Sequence, residues 1–578
     1  MADFDLVIRG GTVFDGSGDP GREGDVAVRD GRIAAVGKVS GRGRQEIDAK
    51  GQIVTPGFVD IHTHYDGQAS WGAQLSPSSW HGVTTAVMGN CGVGFAPCRP
   101  NDHDTLIRLM EGVEDIPGVV LTEGLSWNWE TFPQFLSALE GQPHDIDFAV
   151  QAPHGPLRVY VMGERGANRE PATPHEIAEM GRLAREAVEA GAIGFTTSRT
   201  LNHRTSDGKP TPTLTAEADE LVGIARGLGE AGRGVLQVVT DFKDRRAEFA
   251  MFRRMVGESG RPLSISVVQN DMNPEGWRKL LADIDAANAD GLTMRAQVCG
   301  RAVGLLFGME LTNNPFSAHT AWREIAALPL AGKVARLREP AFRAQLLAAR
   351  PEGEDRFAKL YLWRFDRMFA LDDPPNYEPR LEDSIGAQAR ARGVDAAELA
   401  LDTMLEREGR GLLYFPSLNY AQYSLDPSYE MMNHPNTVLG LGDGGAHVGT
   451  ICDASFPTSM LAFWTRDRVR GPKLSVEWVV KAHAAETARA IGLMDRGRLA
   501  PGYRADINVI DYDHLTLRAP EVAHDLPAGG RRLIQRAEGY TATIVAGEIN
   551  YRNGEATGRL PGRLVRGAQA APFLKAAE

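Results

Sequence analysis

The sequence predicts an α/β fold, a (β/α)8 TIM-like barrel with a small β-sandwich domain formed by both termini. Short alternating apolar and polar runs broken by glycine fill the first 55 residues and return from about residue 503. Between them, short apolar runs alternate with stretches of helical periodicity, as in a parallel sheet with crossover helices. In chain order, the eight candidate strands are GFVDIH, TTAVMGN, DFAVQAP, AIGFTTS, GVLQVVTD, PLSISVVQ, LTMRAQVC and TVLGLGD.

The two ends of the chain share one pattern. TATIVAGEINYRNG, near the carboxyl terminus, repeats the order of strand, glycine turn and strand in FDLVIRGGTVFDGSG, so segments 1–55 and 496–578 are expected to pair. Two unrelated β appendages are the alternative. The barrel is expected over 56–495, with long insertions at about 91–144 and 300–436. Because barrel chemistry sits in the loops after the strands, these insertions are expected to form lids or pocket walls; a solvated helical insertion is the alternative.

Composition excludes several function classes. The 578 residues carry a formal net charge of −12, without a lysine and arginine run typical of nucleic-acid or membrane binding. No apolar run approaches the roughly 18 residues of a membrane span. The start, MADFDLVIRGG, lacks the features of a signal peptide, and four cysteines are too few for a disulfide framework. We therefore expect a cytoplasmic protein with a small-molecule substrate, and a homo-oligomer stays open because no stretch identifies an interface.

Four potential metal ligands follow three of the predicted strands. His62 and His64 project to the same side of the first strand because side chains alternate along it. Cys91 ends the second strand in VMGNCG, and Asp443 ends the eighth in LGLGDGGAH. Two imidazoles, a thiolate and a carboxylate on one barrel face suit Zn²⁺, which lowers the pKa of a water molecule to about 7 and polarises a carbonyl. Asp443 is then a ligand or the base that takes the proton of the water.

Each of these residues also has a structural interpretation. The histidines can hydrogen-bond loop backbone, Cys91 can pack as a small apolar residue, and Asp443 can cap a turn. Their joint occurrence at three strand ends favours a metal site.

Several motifs resemble a known family. PGFVDIHTHYDG, GVTTAVMGNCGVGFAP, GLSWNWETFPQFLSAL and HPNTVLGLGDGGAHVG are similar to the N-acyl-D-amino-acid deacylase (D-aminoacylase) branch of the amidohydrolase superfamily. VEDIP, REIAALPLAGKVARLREPAFRAQLL and GRLAPGYRADINVID extend the resemblance over nearly the whole chain. The resemblance implies a zinc-containing barrel with a β-sandwich, in which His62 and His64 are ligands, Cys91 is the unusual cysteine ligand, and Asp443 is ligand and general base. It also implies hydrolysis of an N-acyl-D-amino acid to a carboxylate and a free D-amino acid.

The sequence departs from that family at three positions. The family supplies metal-binding histidines at the ends of strands five and six, where Val239 and Val267 stand here. Gln269 replaces the family's lysine after strand six. Because valine cannot ligate, we expect one Zn²⁺ held by the four residues above, and a second metal stays open.

The substrate-binding residues are expected in loops near the strand ends. His154, His203 and His447 lie there, and Arg199 and Arg301 follow strands four and seven. An arginine fork is the usual partner of a carboxylate. Two alternatives stay open: the loop histidines replace the missing metal ligands, or the histidines hydrogen-bond within the protein and the arginines form salt bridges.

Three functions remain open on the sequence. The first is a zinc-dependent amidohydrolase acting on a C–N bond of an N-acyl-D-amino acid through a metal-activated water and Asp443. The second keeps the metal and changes the substrate to a cyclic amide, a carbamoyl compound or an ester. The third is a catalytically inactive amidohydrolase-like scaffold.

Overall fold

The computed structural model describes residues 2–348 and 358–572. The strands, in chain order, are β1 (Phe4–Val13), β2 (Arg22–Arg29), β3 (Arg32–Gly37), β4 (Gly43–Asp48), β5 (Ile53–Pro56), β6 (Phe58–Asp60), β7 (Val83–Met88), β8 (Asp147–Pro153), β9 (Gly194–Arg199), β10 (Val235–Thr240), β11 (Leu263–Ser266), β12 (Met294–Val298), β13 (Val303–Phe307), β14 (Phe369–Ala370), β15 (Leu413–Leu418), β16 (Thr437–Leu439), β17 (Ile507–Ile510), β18 (Thr516–Leu517), β19 (Glu521–Leu526), β20 (Gly530–Ile534), β21 (Ala537–Glu538), β22 (Tyr540–Val545), β23 (Glu548–Arg552) and β24 (Glu555–Ala556).

The α-helices, in chain order, are α1 (Gln68–Trp71), α2 (His103–Glu114), α3 (Gly118–Gly124), α4 (Phe132–Glu140), α5 (His154–Met162), α6 (Glu164–Ala167), α7 (Pro174–Ala190), α8 (Ala218–Ala231), α9 (Arg245–Ser259), α10 (Gly276–Ala289), α11 (Thr320–Arg323), α12 (Leu330–Arg338), α13 (Pro340–Ala348), α14 (Ile385–Arg392), α15 (Ala396–Gly409), α16 (Asp426–Met432), α17 (Phe456–Ser459), α18 (Val476–Lys481) and α19 (Thr487–Ala490). Within the described residues, none of them is long and apolar enough to cross a membrane.

Eight parallel strands form the central sheet, in the order β6-β7-β8-β9-β10-β11-β12-β16. They are the eight strands that the sequence predicts. Every residue of β7 and β8 is buried, as in parallel strands that are covered on both faces. Just beyond the two outer strands, Thr63 and Gly444 form a parallel bridge, and the His64 N–H donates to the Gly444 carbonyl at 2.7 Å. The sheet therefore curls back on itself, consistent with a TIM-like barrel, and its strands share one carboxyl rim.

Helix α7 shows how local sequence determines where a helix of the barrel begins. The Thr173 hydroxyl accepts the Glu176 N–H at 3.3 Å, and the Glu176 carboxylate accepts the Thr173 N–H at 2.7 Å. Pro174 occupies the first turn, where its missing N–H is not needed. Helix α8 packs so closely on α7 that a Cβ at Gly227 would lie 2.1 Å from the Gly181 carbonyl oxygen. Both helices connect consecutive strands of the central sheet, as the alternation of apolar runs and helical periodicity predicts.

Strands from both ends of the chain form one nine-stranded sheet. Strands β1 to β5 join β17 and β22 to β24 through an antiparallel β5–β17 pair. The sheet has its own apolar cluster, which includes Ile8, Val28, Val54, Ile507 and Ile544. The two termini therefore meet in one sheet. Its arrangement as a β-sandwich and the domain limits stay predictions.

The two predicted insertions differ in content. The first contains α2, α3 and α4, and the second contains the sheet β13-β15-β14 with α11 to α16. A separate apolar cluster in the second includes Phe307, Trp322, Leu346, Met404 and Phe415. Residues 349–357 of the insertion predicted at 300–436 lie outside the described part. The role of both insertions as lids or pocket walls stays a prediction.

Candidate metal centre

The four predicted metal ligands meet at the carboxyl rim of the barrel. His62 and His64 follow β6, Cys91 follows β7, and Asp443 follows β16. They lie just beyond the strands, in the connecting segments. Cys91 and Asp443 have left-handed backbone conformations, with φ of 53° and 48°. Such turns bend the chain sharply enough to return both side chains over the barrel mouth.

The donor atoms have the spacing of a metal site. The ligating atoms of His62, His64 and Cys91 lie within 4.8 Å of one another, and all three residues are buried. His62 Nε2 is 3.4 Å from both Cys91 Sγ and Asp443 Oδ1, and His64 Nε2 is 3.7 Å from Asp443 Oδ1. Two ligands of a tetrahedral Zn²⁺, at bond lengths of about 2.0–2.3 Å, are separated by about 3.3–3.8 Å. These residues therefore form a candidate metal site and fit a zinc ion.

The electrostatics of this site also suit a cation. Burial lowers the pKa of His62 and of His64, which favours the neutral imidazole that ligates metals. Burial raises the pKa of the Cys91 thiol, and the nearby Glu114 and Asp443 carboxylates raise it further. Burial opposes ionisation of Asp443, but the His64 hydrogen bond and the neighbouring imidazoles keep the pKa of that carboxyl below its ordinary value. Among the described residues, the ion-pair partners of Glu114 and Asp443 are histidines, so a divalent cation would supply the missing positive charge.

Two glutamines set the orientation of the His62 ring. Gln297 Oε1, from β12, lies 2.8 Å from His62 Nδ1, and Gln237 Nε2, from β10, lies 2.9 Å from the same atom. Nδ1 either donates a proton to Gln297 or accepts one from Gln237, and the tautomer that donates to Gln297 leaves the Nε2 lone pair directed at the cluster. Sequence reasoning missed both glutamines. Gln237 lies two residues before Val239 in the same strand and thus on the same face, which was an available signal.

Glu114 also reaches the cluster and was not predicted. Its Oε1 lies 3.1 Å from His64 Nδ1, and its Oε2 lies 3.6 Å from His447 Nε2. The residue belongs to the VEDIP motif at the end of α2. The motif was recognised from its resemblance to the family, but its carboxylate could not be placed without the fold.

Two predicted substrate residues lie beside the cluster. His447 follows β16, is partly exposed and approaches Glu114. The Nδ1 atom of His203 is 2.8 Å from Ser198 Oγ, at the end of β9. Burial lowers the pKa of His203 to about 3, and the positive charges of His447 and His64 add to that shift. Both histidines therefore border the candidate metal site, and their contact with substrate stays a prediction.

Two other predicted substrate residues are engaged within the protein. His154 is buried, with Nδ1 2.8 Å from Thr197 Oγ1 and Nε2 2.8 Å from Glu220 Oε1. The Arg199 guanidinium donates to the Glu248 carboxylate, with Nε 3.1 Å from Oε2. These contacts occupy both ring nitrogens of His154 and favour the structural alternative for both residues.

Arg301 is buried in an ion pair. Its guanidinium is 2.9 Å from Asp453 Oδ1 and donates to the Cys452 carbonyl at 2.9 Å. The Cζ atom lies 3.7 Å from the centroid of the Tyr377 ring. With 2% of its side chain exposed, Arg301 is held by the protein itself, which again favours the structural alternative.

The structure also shows where the three residues that depart from the family pattern lie. Val239 is partly buried in β10 and Val267 is fully buried just after β11. Gln269 is buried, and its side-chain amide contacts the Ala421 N–H at 3.0 Å, Gln422 Oε1 at 2.6 Å and the Pro274 carbonyl at 3.2 Å. Gln269 thus fixes the loop after β15.

A curled sheet of eight parallel strands with histidine, cysteine and carboxylate donors at its carboxyl rim is the arrangement of metal-dependent barrel hydrolases. The model of the amidohydrolase family matches residues 45–551. The chain belongs to this amidohydrolase family. Similar sequences and structures support its resemblance to the D-aminoacylase branch.

Among similar proteins, an uncharacterised protein of Mycobacterium tuberculosis is 26% identical over 611 aligned positions, covering 100% of this chain and 96% of that protein. D-aminoacylase of Alcaligenes xylosoxydans xylosoxydans is 34% identical over 266 positions, covering 46% of this chain and 50% of that enzyme. A solved D-aminoacylase structure with a binuclear metal centre has a TM-score of 0.64 at 25% identity, covering 97% of this chain and 100% of that one. An N-acyl-D-glutamate deacylase structure from Bordetella bronchiseptica, complexed with zinc and a phosphonate inhibitor, has the same TM-score at 24% identity, covering 97% and 99%, and supports the fold alone.

Proposed function

We propose that the protein is a zinc-dependent hydrolase of a C–N amide bond, acting on an N-acyl-D-amino acid. The single observation that carries the proposal is the convergence of imidazole, thiol and carboxylate donors, 3.4 to 3.7 Å apart, at the barrel rim. The D-aminoacylase relatives support the choice of substrate.

The proposed roles follow from the contacts. His62, His64, Cys91 and Asp443 would hold one Zn²⁺, and a bound zinc supplies a Lewis acid that polarises the amide carbonyl and acidifies a water molecule. Asp443 accepts the proton of the attacking water and returns it to the leaving nitrogen. Water thus adds across the C–N bond, which gives a carboxylate and a free amine. His447 borders the centre, where a substrate would meet it.

A second candidate function keeps the zinc but takes a substrate without a free α-carboxylate, such as a cyclic amide or an ester. The contacts of three residues favour it. Arg199 and Arg301 are ion-paired to Glu248 and Asp453, and Gln269 uses its amide within the protein. None of the three is therefore an open partner for a carboxylate.

A matched set of substrates tests the proposal. Zinc-loaded protein is assayed with N-acetyl-D- and N-acetyl-L-amino acids in pairs, beside hydantoins and lactones, and the released amine or acid is measured. We expect turnover of D but not L compounds, and its loss in Asp443→Asn. Failure to cleave any N-acyl-D-amino acid would reject the first candidate, and cleavage of a hydantoin or lactone would support the second.

A further inference from the structure

Glu114 is a buried carboxylate at the candidate metal centre, outside the four predicted ligands. Its side chain is 1% exposed. Oε1 lies 3.1 Å from His64 Nδ1 and Oε2 lies 3.6 Å from His447 Nε2. One carboxylate therefore lies between a predicted zinc ligand and a histidine of the substrate side.

The position of Glu114 bears on which nitrogen of His64 is available to a metal. Nδ1 is the ring nitrogen nearer to Glu114, 3.1 Å from Oε1, and Nε2 is the one nearer to Asp443, 3.7 Å from Oδ1. Both ring nitrogens and both Glu114 oxygens are buried without a hydrogen bond of good geometry. A proton on Nδ1, attracted by the carboxylate, leaves the Nε2 lone pair directed at the position that a metal would take. Histidines that bind metals commonly give their second N–H to a carboxylate or carbonyl, which sets the tautomer and raises ligand basicity.

The backbone around Glu114 is anchored on two sides. The Glu114 carbonyl accepts the His447 N–H, which ties the end of α2 to the loop after β16. The next residue, Asp115, has a left-handed backbone with φ of 53°. Its carboxylate accepts the Thr312 hydroxyl at 2.9 Å and the Gly449 N–H at 3.2 Å. The carboxylate of Glu114 is therefore delivered by a segment fixed to both the second insertion and the rim loop.

We propose that Glu114 is a positioning residue that orients His64 for metal binding and ties His447 to the same centre. The end of helix α2 is then part of the metal site and more than a wall of the pocket. This inference rests on the zinc site of the proposed function.

The test compares zinc affinities of purified chains by competition with a chromophoric chelator. Glu114→Gln keeps the size and an acceptor oxygen but removes the charge, and Glu114→Ala removes both. We expect Glu114→Ala to weaken zinc binding about 10- to 100-fold and Glu114→Gln to weaken it less. We also expect the visible absorption bands of the Co²⁺-loaded protein to change in Glu114→Ala, because the His64 ring loses its restraint.

Glu111→Gln is the matched control. Glu111 lies on the same helix, and its carboxylate accepts the Gly118 N–H at 2.7 Å. Among the described residues, the histidine ion pairs at the centre involve Glu114 and Asp443 and not Glu111. Its zinc affinity and Co²⁺ spectrum should match the wild type, and metal-free Glu114→Gln should keep the wild-type melting temperature. The inference would be overturned if both Glu114 variants bound zinc with wild-type affinity. It would also be overturned if Glu114→Gln lost zinc affinity and its metal-free form lost stability as well, because the change would then act on the fold. If the wild type itself binds no zinc, the proposed function fails, which is a distinct result.

Discussion

Arg301 gives the sharpest contrast between a substrate-binding and a structural role. The side chains of Arg301 and Asp453 are 2% and 3% exposed and 2.9 Å apart. Replacing Arg301 with methionine keeps an apolar stem but leaves the Asp453 carboxylate buried without its partner. Removing one member of a buried ion pair costs about 3–5 kcal/mol. We therefore expect Arg301→Met to lower the free energy of unfolding by about 3–5 kcal/mol in urea titrations followed by tryptophan fluorescence.

A double variant distinguishes the cost of leaving Asp453 without its ion-pair partner from the cost of losing the packing of Arg301. Arg301→Met/Asp453→Asn removes the uncompensated charge and should be more stable than the sum of the two single changes predicts. Burial raises the pKa of Asp453 to about 6, against the opposing charge of Arg301. Without that charge the pKa rises further, so protonation neutralises Asp453 at pH 5, and the penalty of Arg301→Met should be smaller at pH 5 than at pH 8. If Arg301→Met had wild-type stability, a raised KM and an unchanged kcat, the structural role would be refuted and Arg301 would be assigned to substrate binding.

Three further predictions concern single side chains. Asp443→Asn should lower kcat about 10²- to 10⁴-fold with an unchanged circular dichroism spectrum, and a loss below tenfold would argue against a general base. Gln297→Leu should weaken zinc binding about 10- to 100-fold in a chelator competition, since His62 loses its acceptor; equal affinity would reject that role. Burial lowers the pKa of His483 to about 3, so the unfolded chain binds the extra proton below about pH 6.5 and stability falls as pH drops. His483→Leu should reduce the stability lost between pH 7.5 and 5 by about 2 kcal/mol in urea titrations, and an unchanged loss would contradict this.

The barrel was predictable because its signals are local. Each central strand is a short apolar run closed by turn residues, and Thr173, Pro174 and Glu176 mark the start of α7 within four positions of sequence. His62 and His64 were found for the same reason, since they follow such a run directly.

The remainder of the site depends on contacts far apart in sequence. Arg301 meets Asp453 across 152 residues, and a buried arginine looks like a solvated one until that partner is placed. Glu114 approaches His64 from a segment that Asp115 binds to two other loops. Asp443 was found, but its left-handed turn beyond β16 was not, because aspartate before two glycines fits several turns.

Metal content tests the central claim most directly. Plasma mass spectrometry is applied to protein purified without chelators, beside a His62→Ala/His64→Ala variant that is verified as folded by circular dichroism. We predict zinc near one per chain in the wild type and its loss in the variant. Folded wild-type protein that takes up no zinc, even when zinc is added, would contradict the account and favour a scaffold.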